Sequence, residues 1–238
     1  MTLRELIYGF KDFVGDQTHR ISDDSGWSNR LLKHHFDIGR AELIYQKRQR
    51  KPETITRHNE QTLQCVTLKR IDMNECPCLP ASGCMFLKSE HPIPTPVNDL
   101  IISVTSVTGN IRFDPLKWSN FYSKLNSRIP AEKVSKYYTF KDIGEGVYLY
   151  VYNDQFIDSV SVTGIFEDPV DVKRFPICGK PADPICSPLE EDYVIDKDLI
   201  MPLYRSVLQM LSGFKKMSTF DNNNNDQDDT TGSQIPRM

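Results

Sequence analysis

The chain has 238 residues, 39% of them hydrophobic, and a formal net charge of -3, which suffices for one substantial core and a small appended layer. Residues 218–238 carry all of that charge, with Asp221, Asp226, Asp228 and Asp229 set against Arg237. The body is therefore neutral and offers no global field that would recruit nucleic acid or an anionic membrane. No apolar run approaches the roughly 18 residues of a membrane span, and the charges scattered through residues 1–5 do not read as a signal peptide. These features point to a protein made in a cytosol, without a membrane partner.

Thr2 and Glu5 have the spacing of a capping box. Leu3, Leu6, Ile7, Phe10 and Phe13 or Val14 follow at helical spacing, which predicts a short amphipathic helix ending near Gly15. The polar run Ser22, Asp23, Asp24 and Ser25 can cap a second helix from about residue 26 to about residue 49. Trp27, Leu31, His35, Ile38, Ala41 and Tyr45 define its predicted apolar stripe. Its end is basic, with Lys47, Arg48, Arg50 and Lys51 before Pro52. Those cations either complement the negative end of the helix dipole or form a patch for DNA or an acidic partner. His34 and His35 are adjacent and point to different parts of the helix surface, so they do not suggest a shared metal.

The period changes from about residue 62. Segments 62–72, 100–107, 110–113, 136–140, 147–152 and 159–166 are rich in Val, Ile, Thr, Tyr and Phe and read as strands. Turn-forming breaks at Thr108-Gly109-Asn110 and Gly144-Glu145-Gly146 separate them. Trp118, Phe121, Tyr122 and Leu125 share a face and predict an embedded helix over 117–125. The segment 74–96 carries prolines at 77, 80, 92, 94 and 96 and is predicted to be irregular or extended. After Pro188, the acids Glu190, Glu191 and Asp192 precede Leu199, Leu203, Val207 or Leu208, and Leu211 at helical spacing, with Pro202 in the first turn. Beyond Met217 the chain is too polar to fold alone.

The predicted class is α+β. N-terminal helices (1–52) and a C-terminal helix (188–217) pack with a central antiparallel sheet, sandwich or small barrel (53–187), and an extended docking arm follows (218–238). Phe220 and Ile235 are the arm's candidate anchors.

Catalytic signatures are missing: there is no phosphate-binding Gly-x-x-x-x-Gly-Lys loop, no His-Glu-x-x-His, no Gly-x-Ser-x-Gly, and Gly144-x-Gly146 lacks a third glycine. The acid runs Asp23-Asp24 and Glu190-Glu191-Asp192 fall where helices begin, so capping explains them. The six cysteines fit reduced thiols in a cytosol. Cys76, Cys78 and Cys84 with Cys178 and Cys186 raise a zinc site, but a one-residue Cys-Pro-Cys gap and a second pair with seven residues between do not match zinc spacing. The sequence predicts a protein with no cofactor and no enzymatic role.

Three stretches carry a family resemblance: 1–7 with Ile21-Ser22-Asp23-Asp24; 162–169, ending Phe166-Glu167-Asp168-Pro169; and 188–193 through Leu211 with the Asn- and Asp-rich tail. In this order of elements the chain resembles the neck-ring and head-to-tail adaptor proteins of short-tailed phages, and more closely the connector ring proteins of crAss-like phages of Bacteroides. The resemblance implies a virion protein arranged as a ring, twelve copies to match a portal. It would join the portal to other neck and tail proteins, with genomic DNA passing through the channel. Lys47, Arg48, Arg50 and Lys51 are then the candidate contacts to DNA or to an acidic neighbour. Two other classes are a virion-surface host- or glycan-binding module, marked by an exposed cluster such as Tyr148, Tyr150 and Tyr152, and a cytosolic enzyme of unknown chemistry, marked by metal at the cysteines.

Overall fold

A computed structural model of the chain describes residues 1–18, 27–50, 57–71, 86–120, 135–144, 146–152, 154, 156–176 and 187–212. Helix α1 (Leu3–Thr18) opens on the predicted capping box: Thr2 N donates to Glu5 Oε2 at 2.8 Å and Glu5 N donates to Thr2 Oγ1 at 3.2 Å. It runs about a turn past Gly15, because a glycine weakens a helix without ending one. Helix α2 (Asn29–Arg50) is capped by Ser28, whose Oγ accepts from Leu31 N at 3.2 Å. The proposed caps Asp23 and Asp24 lie outside the described residues.

The predicted stripe of α2 is split by the fold: His35 is buried and Trp27 and Ala41 are half-buried against the core, while the other three members face solvent. Leu31, Ile38 and Tyr45 are exposed, while Leu32, His35, Phe36, Gly39, Arg40 and Ile44 face inward. The physical reason is that a buried arginine and a close-packing glycine share the inward face with Leu32, Phe36 and Ile44, so hydrophobic spacing alone does not fix which side turns inward.

Seven strands follow: β1 (Gln61–Arg70), β2 (Phe86–Ser89), β3 (Pro96–Ser106), β4 (Arg112–Pro115), β5 (Tyr137–Asp142), β6 (Val147–Tyr152) and β7 (Ser159–Phe166). They close into a barrel in the order β1-β2-β6-β5-β4-β3-β7, with β7 returning to β1. This corrects the sandwich expectation, and the sheet is mixed: every pair is antiparallel except β4 with β5, which is parallel. Strand β2 arises inside the proline-rich segment predicted to be irregular. None of its four residues is a proline, so it can pair on both sides, with β1 and β6. Of the embedded helix predicted over 117–125, the described part is a 3-10 turn at Trp118–Asn120, and the remainder lies outside the described residues.

The barrel interior takes side chains from every strand, among them Leu63, Val66, Leu87, Val104, Phe113, Tyr138, Leu149, Val160 and Phe166. A register shift between Leu63 and Val66 changes the alternation of β1, so both residues reach the interior although they lie three apart. In β3, Asn98 and Asp99 adopt left-handed φ of 46° and 58° where the register with β7 shifts. Asn and Asp are the non-glycine residues that tolerate this region best. Tyr148, Tyr150 and Tyr152 lie on one face as alternation predicts, but on the outer face, where the first two are buried. Phe86 lies 5.0 Å from Tyr152, and Trp118 lies 5.3 Å from Tyr150, ring centre to ring centre.

Helix α3 (Pro169–Arg174) follows β7, with Asp168 capping it by accepting from Val170 N at 2.8 Å. The segment from 187 to 199 is extended between 3-10 turns at Pro188–Glu190 and Lys197–Leu199. Helix α4 (200–212) then packs against α1 and α2, burying Leu203, Tyr204, Val207 and Leu211 with Leu3, Leu6, Phe10, Leu32 and Phe36. Pro202 sits in its first turn, as predicted. The acids before α4 do not cap it. Glu190 pairs with Arg4, Glu191 with Lys173 at 2.8 Å, and Asp192 with the N-terminal amine at 4.0 Å.

Cys65 is buried and disulfide-bonded, against the expectation of six reduced thiols. The other cysteines, and with them the zinc candidates, lie outside the described residues. Among the described residues no helix is long and apolar enough to cross a membrane.

Gly164 of β7 shows how tightly β3 and β7 approach. A Cβ there would lie 2.7 Å from Ile101 Cδ1 and 3.0 Å from the carbonyl oxygen of Leu100, which is backbone and cannot rotate away. Gly164→Val is expected to destabilise the fold by about 2 kcal/mol, within the range for overpacking, and thermal melting would show it as a drop of several degrees; an unchanged melting temperature would refute the close approach.

Candidate functional site

The basic end of α2 is divided by the fold. Lys47 folds back onto the segment before α4, donating to Asp198 Oδ2 at 2.8 Å and to Asp196 Oδ2 at 3.2 Å. Hydrogen bonds to these carboxylates hold its ammonium pKa above the ordinary lysine value. Arg48 and Arg50 are exposed, and two residues along a helix are about 200° apart, so they point to different sides of the helix end. Lys51, Phe220 and Ile235 lie outside the described residues. Among the described candidates, Arg48 and Arg50 are thus available to an outside partner: two guanidinium groups at a helix C-terminus, suited to phosphate or carboxylate oxygens.

What holds that helix end in place was not among the predicted site residues. Arg40 is fully buried; its Nε donates to the carbonyl of Val194 and its Nη1 to the carbonyl of Phe166, both at 2.6 Å, and its guanidinium lies 6.0 Å from the ring of Tyr193. Burial pushes its pKa below the ordinary value. Two turns earlier, Lys33 bridges two carboxylates, donating to Asp37 Oδ2 at 2.7 Å and to Asp168. Burial opposes the lysine's charge, yet the bonds to Asp168 and Asp37 outweigh it and its pKa rises. Tyr193 donates its hydroxyl to Asp37 Oδ1 at 3.0 Å, and burial holds that hydroxyl well above the ordinary tyrosine range.

A third tie involves Asp196, a buried carboxylate that accepts from Asn59 Nδ2 at 2.8 Å while its backbone N donates to Asn59 Oδ1 at 3.2 Å. The sequence did hold a signal for this array. Arg40 stands at helical spacing between Phe36 and Ile44, and Lys33 and Asp37 form an i,i+4 pair on the same helix.

Apart from the buried Nη2 of Arg40, which has no hydrogen-bond partner among the described residues, these groups are occupied with one another and with the backbone, which is a structural use of charge. Among the described residues no group of three His, Cys, Asp or Glu side chains could hold a metal ion. The fold is a closed barrel tied to a helical layer through buried charges, with Arg48 and Arg50 exposed at the end of α2; a fold of this kind can host many functions. The match of a family model sharpens this: the phage tail ring protein 2 family covers residues 10–230, and the chain belongs to it. It is therefore a ring protein of the crAss-like phage tail, a structural component of the virion. Comparison with curated proteins gave no match.

Burial dominates the Asp37 carboxyl, raising its pKa from 3.8 to about 6 despite the opposing bond from Lys33. Between those values the folded state binds more protons than the unfolded state. The stability this gives is full below about pH 4 and lost as pH rises through about 6. His35 works in the opposite direction, since burial lowers its pKa. The difference in melting temperature between wild type and Asp37→Asn cancels the His35 contribution, and it is expected to fall as pH rises from about 4 to about 6. A flat or rising difference would show that Asp37 titrates normally.

Proposed function

We propose that the chain forms one ring of the neck or connector that joins the capsid portal to the tail, in twelve copies, lining or sealing the channel through which the genome passes. The match to the tail ring family over residues 10–230 carries this reading. The fold is consistent with it: a closed barrel leaves no open sheet edge on which strands could add without limit. The exposed Arg48 and Arg50 give the end of α2 a local positive charge on a neutral body, which fits DNA phosphates or an acidic neighbour. Lys47 serves the subunit's own fold and is not part of that exposed charge.

Buried Tyr148 and Tyr150 do not form the exposed aromatic platform that would favour a glycan-binding module. Particles carrying Arg48→Ser and Arg50→Ser are expected to assemble but to lose genome more readily as salt is raised, since screening weakens the contacts that remain. Genome retention equal to wild type across a salt series would remove the channel-facing role.

The tail, 218–238, is in this reading an arm that docks on a neighbouring subunit or connector protein, anchored by Phe220 and Ile235. Fixing 21 residues costs roughly 1 to 2 kcal/mol each, more than so few apolar side chains supply. Deleting 218–238 is expected to leave the isolated subunit's melting temperature unchanged while impairing incorporation into particles. A truncated protein that melts several degrees lower would place the arm within the subunit's own fold.

A further inference from the structure

The helical layer leaves an apolar seam uncovered. Leu31, Ile38 and Tyr45 are 39%, 44% and 39% exposed. Their spacing of seven keeps successive side chains within about 20° of one line along the helix. That line lies opposite the inward face made by Leu32, Phe36, Gly39 and Arg40. A helix of a globular protein normally presents polar groups there. Heptad-spaced apolar residues are instead the pattern of a helix that packs on a second surface, and from Leu31 to Tyr45 the seam runs about 21 Å at 1.5 Å per residue.

A second exposed apolar patch sits at the far end of the barrel. Ile165, near the end of β7, packs with Ile44 of α2, whereas Ser159, at the start of the same strand, lines a cleft of about 330 Å³ between the loop after β3 and the loop before β7. Phe156 and Val107, 91% and 51% exposed, stand at this cleft beside Ile157. The two patches are thus at opposite ends of β7. They also differ in charge: exposed Arg30 and Arg48 flank the seam, with Glu42 as its acid, while exposed Asp158 stands at the cleft.

We propose that the α2 seam of one subunit, Leu31, Ile38 and Tyr45, docks on the Val107 and Phe156 end of the barrel of the next copy, and that this head-to-tail contact builds the ring. The proposal rests on the ring reading given above. A ring of identical subunits needs a heterologous contact, in which two different patches on one chain meet in turn, whereas a self-complementary patch closes as a dimer and stops. Two unlike apolar patches at opposite ends, one rimmed mainly by cations and the other by a carboxylate, satisfy that requirement.

The test uses two full-length variants, Ile38→Asp and Phe156→Asp, both at exposed positions, with melting curves to verify that each folds as wild type does. Native mass spectrometry of the wild type is expected to show a closed ring. Each variant alone is expected to be monomeric, because each lacks one half of the contact. Mixed in equal amounts, they retain one intact seam and one intact cleft between them and are expected to form a heterodimer and nothing larger. Rings formed by either variant alone would overturn the proposal while leaving the ring reading in place. Loss of the ring in Ile38→Asp with retention in Phe156→Asp would overturn it too, assigning the seam to a different part of the neighbouring copy. A wild-type chain that stays monomeric at all concentrations would overturn self-assembly through these patches and count against the ring reading as well.

Discussion

Arg40 is the constraint on which the arrangement of this subunit depends. A guanidinium with no exposed surface must find acceptors within the protein: its Nη1 finds the carbonyl of Phe166, at the end of the barrel strand β7, and its Nε that of Val194, in the segment leading to α4, while its buried Nη2 has no hydrogen-bond partner among the described residues. One side chain therefore joins three parts of the chain that lie far apart in sequence. Such a charge is costly to bury and more costly to leave without its partners. Any sliding of α2 along the barrel would strand it. The neighbouring Lys33, Asp37 and Asp168 array and the Asn59, Asp196 and Lys47 array lie on either side of Arg40 along the same junction, so α2 is fixed in rotation as well as in position.

Fixing α2 in rotation decides which of its apolar residues are covered. With Arg40 turned inward, Phe36 and Ile44, one turn to either side, must also turn inward, and Gly39 then allows α4 to approach so closely that an added Cβ would lie 2.9 Å from Leu203 Cδ1. The remaining apolar residues of the helix, seven apart, are left on the opposite side. The polar interior of the junction thus produces the apolar exterior of the helix.

The barrel supplies the complementary rigidity. Seven strands paired around a full circuit leave no edge in the sheet, and two irregularities make that closure possible. The bulge in β1 resets which side chains face inward, and the left-handed pair Asn98 and Asp99 bends β3 where it meets β7. The outer face of β6 is occupied by tyrosines packed with Phe86 and Trp118, so the same strand serves two apolar clusters, one on each side of the sheet. Strand β6 consequently reads as a continuous hydrophobic run, and its ends were the easiest to place in the sequence.

Local physics was legible without coordinates. The capping box at Thr2 and Glu5, the strands 147–152 and 159–166, and Pro202 in the first turn of α4 are each fixed by neighbours within a few residues, so the sequence by itself determined them. It also carried the family resemblance through the order of its elements. Tertiary structure alone decided closure into a barrel, because pairing β7 with β1 joins segments about a hundred residues apart and no local signal encodes it. Strand β2 was hidden for the same reason, since it exists through its two partners and not through its own propensity. The exposed face of α2 was misread because periodicity measures how apolar residues are distributed around a helix, not what the rest of the protein places against each side. Lys47 shows the same limit: a cation near a helix end is solvated or paired according to whether carboxylates 149 and 151 residues away fold back to meet it.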